Sequence, residues 1–157
     1  MKKYLLLILC TGLLWVYYFF PAPPQPGTKL PESLLNLNKQ MLVQAENTSL
    51  TFGDYWINDL RNKKSLTNNE RQIIKLANHA NVRQIIFDFR DPIRFSYYPD
   101  YYYFLTDKFY IYAADDYTEE TQVPSIKQAI EQLQDKSIYH FCEPADHPHW
   151  FLCVRQD

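Results

Sequence analysis

Glycine is almost missing from this chain: three in 157 residues, and only Gly53 beyond Gly27. A phosphate-cradling loop or a Gly-x-Ser-x-Gly nucleophile elbow needs glycines where the backbone turns sharply or meets a ligand. Neither motif is here, and neither is the His-Glu-x-x-His pair of a zinc hydrolase. Positive charge is also short. Leaving aside Lys2 and Lys3, 14 of the 16 Lys and Arg remain against 18 Asp and Glu, a net of −4. Nucleic-acid binding needs a basic footprint, so no nucleic-acid partner is expected. The deficit sits in one half. Residues 29–94 hold ten basic and seven acidic groups, whereas 95–157 hold four and eleven.

What is abundant at the start is apolar. Lys2 and Lys3 precede seventeen uncharged residues, Tyr4 to Phe20. As a helix they span roughly 26 Å, close to the ~30 Å hydrocarbon core of a bilayer. Trp15, Tyr17 and Tyr18 sit at the far end, where amphipathic rings favour the headgroup layer, and the lysines favour the cytoplasmic side. Ala22 follows Phe20 at two residues, a poor signal-peptidase site, and Leu9 before Cys10 is a poor lipoprotein site. Residues 1–20 therefore read as an uncleaved single-pass anchor in the cytoplasmic membrane, with the rest of the chain in the periplasm or outside the cell. Five prolines between Pro21 and Pro31 read as a semi-rigid polyproline spacer, residues 21–31. Residues 32–157 fit one small domain.

Within the domain, Leu34, Leu37, Met41 and Ala45 recur at helical spacing behind Pro31. In "SLTFGDYWINDL", Leu50 and Phe52 read as a short strand with a turn at Gly53-Asp54. Alternatively, Trp56, Ile57 and Leu60 form a helical turn over the core. Thr67 and Glu70 make a capping box for a helix carrying Ile73, Ile74 and Ala77, stopped near Asn81. "VRQIIFDFRD" alternates as a strand, Ile85, Phe87 and Phe89 on one face. Pro124 opens a helix with Ile126, Ala129, Ile130 and Leu133 inside, and "SIYHFCEPADHPHWFLCVRQD" closes the chain as a hairpin. Such an order gives an α+β fold: after the membrane helix, a two-layer α/β sandwich with a mostly antiparallel sheet. With "SLTF" as a strand, the expected core is ferredoxin-like, β-α-β-β-α-β.

"SYYPDYYYFLTDKFYIYAADDY" holds eight of the thirteen tyrosines. Tyr101–Leu105 and Phe109–Ala113 flank a short turn and read as a hairpin. Its second strand puts Phe109, Ile111 and Ala113 on the core side, leaving Tyr110 and Tyr112 outside. Tyr97-Tyr98-Pro99-Asp100 reads as an exposed turn, and exposed tyrosine beside a loop is common interface material. Asp115, Asp116, Glu119 and Glu120 lack the alternating ligand spacing of a calcium loop and read as a solvated acidic loop before a helix. Tyr97, Tyr98, Asp100, Tyr110, Tyr112, Asp115 and Asp116 are accordingly the candidate contact surface for a protein with a basic face.

Cys142 and Cys153 are the only cysteines beyond the apolar segment. A hairpin centred between His147 and Pro148 places them opposite each other, so a disulfide is expected in an oxidising compartment. Zinc is the rival for "HFCEPADHPH", with His140, Cys142, His147 and His149, but His140 falls on the order of 13 Å along the strand from the turn. No metal and no cofactor are expected. The sequence thus favours a non-enzymatic, membrane-tethered binding module. An immunity or inhibitor protein against an envelope-targeting toxin fits, as does an accessory subunit of an envelope assembly. The alternative is a small periplasmic hydrolase using His140 and Glu143.

Overall fold

The computed structural model describes residues 27–47, 50, 53–88, 92–100 and 107–157. The expected membrane helix, residues 4–20, lies outside that set, as do Pro21–Pro26, Phe89 and Tyr101–Leu105. Among the described residues no helix is long and apolar enough to cross a membrane.

The described residues form four helices and seven strands in the order α1 (Glu32–Glu46), β1 (Gly53–Trp56), α2 (Ile57–Arg61), α3 (Asn68–His79), β2 (Val82–Asp88), β3 (Arg94–Pro99), β4 (Asp107–Ala113), β5 (Thr121–Gln122), α4 (Ile126–Gln132), β6 (Tyr139–Pro144) and β7 (Trp150–Gln156). The strands form one sheet, β1-β2-β3-β4-β7-β6-β5. Every pairing is antiparallel except β5 with β6. The α+β class and the mostly antiparallel sheet are as expected. A ferredoxin-like core is not: β1 to β4 pair as consecutive neighbours, without the crossover connections that the split β-α-β arrangement requires.

Local chemistry accounts for the helices. Leu34, Leu37, Met41 and Ala45 are buried along α1. Thr67 accepts from the Glu70 N–H while Glu70 accepts from the Thr67 N–H at 2.8 Å, a reciprocal cap on α3. Asn81 ends α3 with φ 53°, a left-handed position that asparagine tolerates. Of the alternatives for "SLTFGDYWINDL", the helical turn holds for Ile57 and Leu60; Leu50 is not in a strand, and Phe52 lies outside the described residues. Gly53 and Asp54 belong to β1 rather than to a turn, and Gly53 has φ 144°, a region side chains disfavour. Ile57 and Leu60 make the buried turn α2, while Trp56 is 44% exposed.

The tyrosines are inverted relative to the sequence reading. Tyr97 pairs with Tyr110, Tyr110 with Leu152 and Tyr112 with Trp150, so these five share the helix-covered face. Tyr97 is fully buried and donates to Asn38 Oδ1 at 2.7 Å. Tyr110 is 5% exposed, and its hydroxyl donates to Gly27 O and accepts from Gly27 N–H. A phenol ring buries large apolar area, and a single partner satisfies its hydroxyl. Tyr97, Tyr98 and Pro99 are strand, not turn, and β4 takes Arg94–Tyr97 as its hairpin partner. Phe109, Ile111 and Ala113 face the other way, in a second apolar cluster with Cys142, Cys153 and Phe151. Alternation alone could not rank the two faces because both are apolar.

The spacer also ends earlier than expected. Leu30 is buried in the main core, its N–H donates to Asp146 Oδ1 at 2.9 Å, and Asp146 N–H donates to Thr28 O at 2.9 Å. Residues 27–30 are thus part of the fold.

The α3 cap yields a pH prediction. Hydrogen bonding to Lys63, then to Thr67, holds the Glu70 carboxyl down to about 2. A depressed folded value means its contribution is complete above the unfolded value of ~4.3 and disappears as pH falls from there toward 2. Wild type should therefore exceed Glu70→Gln in denaturant midpoint at pH 6, with the gap closing by pH 2. A gap independent of pH contradicts the assignment. Thr67→Ala should cost about 1 kcal/mol.

Candidate binding groove on the helix-free face

The described helices all pack on one face of the sheet, so among the described residues the second face is covered by something else. Residues 114–120, which link β4 to β5, cross it lengthwise as a flap held mostly by charge. Near Ala113, Asp115 accepts from Arg94 at 3.0 Å, and the Arg94 guanidinium lies 4.8 Å over the Tyr117 ring. Asp116, at φ 59°, pairs with His149 Nδ1 at 2.9 Å. At the other end Glu120 accepts from Arg155 and meets His140 Nδ1 at 3.3 Å, its side chain only 9% exposed. Desolvation works against the Arg155 charge, but the Glu120 hydrogen bond together with the charges of Glu120, Tyr98 and Asp157 outweighs it and holds the group above its ordinary value. Thr118 is buried between these ends, its hydroxyl bonded to Glu120 O at 3.0 Å.

Beside the flap lies a groove of about 200 Å³ over β2, β3 and β4, floored by Ile86, Ser96, Tyr98, Phe109 and Ile111. Tyr98 stacks on Phe109 with centroids 4.7 Å apart, and Arg155 sits 5.5 Å over the Phe109 ring. Asp88, Glu119 and Glu120 line it together with Arg94 and Arg155. Burial pushes the Tyr98 phenol above its ordinary value; Arg155 opposes this, and Asp107, Glu120 and Asp54 reinforce it.

The seven expected contact residues do not converge. Tyr97, Tyr110 and Tyr112 lie on the helix side, where Tyr112 is half-buried edge-on to Trp150. Tyr98 alone of the tyrosines in that set lies in the groove. Asp100 follows β3 at the end opposite Arg94, with its N–H bonded to Asn81 O at 2.7 Å. Six residues of strand therefore place it roughly 20 Å from Asp115 and Asp116. Those two are exposed on the flap.

His140 and Glu143 are not brought together either. An odd spacing along β6 sends them to opposite faces. Glu143 accepts from the Ile126 N–H at 2.6 Å at the start of α4, whereas His140 meets Glu120 and, through Nε2 at 2.6 Å, Asp157. His147 pairs with Asp146, and no group of three or more metal-ligating side chains is present among the described residues.

Cys142 stands opposite Cys153 as the hairpin centre requires, bonded, with Cα atoms 4.1 Å apart. Both are fully buried in the second cluster.

Glu120 and Arg155 went unnoticed as a pair in the sequence, although a signal exists. Arg155 and His140 face each other across β6 and β7 and need a shared anion, and the nearest acidic run is 115–120. No protein-family model, curated protein or solved structure matches the chain, so the groove is read from its own residues.

Two outcomes follow. Cys142→Ser releases a closed loop of separation 11 and should lower unfolding free energy by about 2–3 kcal/mol without loss of fold. Denaturant unfolding with and without reductant reads this; identical midpoints would contradict it. Glu120→Gln removes the anion shared by Arg155 and His140, a loss of about 1–2 kcal/mol. The Val123 amide, bonded to Cys142 O where the flap rejoins the sheet, should exchange about tenfold faster while Ile85 is unchanged. Unaltered Val123 protection would remove the latch role from Glu120.

Proposed function

We propose that the protein is a non-enzymatic binding module, tethered to the cytoplasmic membrane through residues 4–20 and exposed to the periplasm or cell exterior. It meets a protein with a basic contact surface on the helix-free face of its sheet. Two roles fit: an immunity or inhibitor protein against an envelope-targeting toxin, and an accessory subunit of an envelope assembly.

The observation that carries the binding role is the groove. Tyr98 in its floor is left partly uncovered beside carboxylate-bearing walls, and Trp56, 44% exposed, shares that face by its register opposite Gln84. Export is supported separately by the Cys142–Cys153 bond, since such bonds persist in oxidising compartments. Tethering is supported by the uncharged run behind Lys2 and Lys3. The hydrolase alternative loses its support, because His140 and Glu143 point away from each other.

The test uses the full chain in intact cells. A photo-crosslinking residue at Tyr117, 54% exposed on the flap, should capture a partner at the membrane. Protease added outside the cytoplasmic membrane should degrade the domain. Cysteines that alkylate freely in denatured, unreduced material would overturn export. Absence of any adduct at both position 117 and position 56 would overturn the binding role.

A further inference from the structure

Resting on that binding reading, we infer that the groove on the helix-free face receives a single arginine side chain from the partner protein. Size sets the first limit. Drug-sized ligands occupy ~300–1,000 Å³, whereas about 200 Å³ admits one long side chain. Charge sets the second. Asp88, Glu119 and Glu120 line the groove with Arg94 and Arg155, three carboxylates against two guanidiniums among the described residues, and Asp115 meets Arg94 from the flap. A carboxylate with one partner still has acceptor sites to spare, so existing pairs do not close the groove to a further cation.

Shape of charge sets the third. Tyr98, half-buried and stacked on the buried Phe109, offers one partly open aromatic ring beside the carboxylates, suited to a planar, weakly hydrated guanidinium rather than a compact ammonium. The face already uses this contact twice within the chain, Arg94 over Tyr117 and Arg155 over Phe109. An incoming arginine repeats the arrangement in trans. Buried arginine stacked on aromatic side chains is also a frequent source of binding energy at interfaces.

The full chain in detergent micelles, labelled for amide NMR, is titrated with a capped Gly-Ser-Arg-Ser-Gly peptide. Saturable shifts are expected at Ser96, Tyr98 and Phe109, with lysine in place of arginine at least fivefold weaker and citrulline without effect. Glu119 is exposed and Ser96 half-buried, so both tolerate change. Glu119→Lys should weaken the arginine peptide about tenfold, and Ser96→Trp should block it. Equal binding of lysine or citrulline, insensitivity to both variants, or shifts confined to other surfaces would each overturn the inference. If the Tyr117 crosslink captures a partner yet no arginine peptide seats in the groove, this inference falls and the binding role stands. If the peptide seats but no partner is captured, the groove's selectivity for arginine stands as a property of this chain and the binding role falls.

Discussion

Seven strands present two apolar faces, and four short helices are enough to cover one of them. Most of the unusual features of the molecule answer that shortage. On the helix side, Phe87, Phe95 and Tyr97 pack beneath α1 and α3, with Phe87 and Phe95 stacked at 4.8 Å and Tyr97 against Trp150 at 5.6 Å. Even there coverage is incomplete, and the segment before α1 lays Leu30 into the core. On the far side no helix is available among the described residues. A disulfide, a small set of aliphatic and aromatic residues and a charged flap take its place.

The choice of charge to hold the flap has a physical reason. A loop has few apolar residues to bury, so its attachment depends on directional contacts with the strands. Arg94 and Arg155 reach up from β3 and β7, bury their aliphatic stems, and keep guanidiniums free for carboxylates and rings. Each contact is worth little if exposed. Glu120 is the exception, because its side chain is almost fully buried and is shared by Arg155 and His140. The flap is consequently firmest at Glu120 and looser at Asp115 and Asp116, where exposure weakens the pairs.

Much of this architecture was legible in the sequence where local chemistry decides it. Thr67 and Glu70 specify their own cap, the α1 stripe follows from spacing, and the Cys142–Cys153 register follows from counting outward from one turn. Legibility ended where two faces of a strand compete. Tyr110 and Ile111 are both buried, so which way β4 turns depends on partners far along the chain, such as Asn38 and Gly27 for the phenols. The groove was hidden for the same reason. Asp88, Ser96, Phe109 and Glu119 are separated by up to thirty-one positions and share a surface only after β2, β3 and β4 have paired.

The docking of residues 27–30 carries a mechanical consequence. Any pull on the amino-terminal end arrives first at the Gly27 contact with Tyr110, then at the two bonds joining Thr28 and Leu30 to Asp146. Tension is thereby delivered to the middle of the sheet and to the turn between β6 and β7, before it reaches the end of α1. That turn belongs to the hairpin closed by Cys142 and Cys153, so the strands that would take up the load are covalently joined and resist peeling apart.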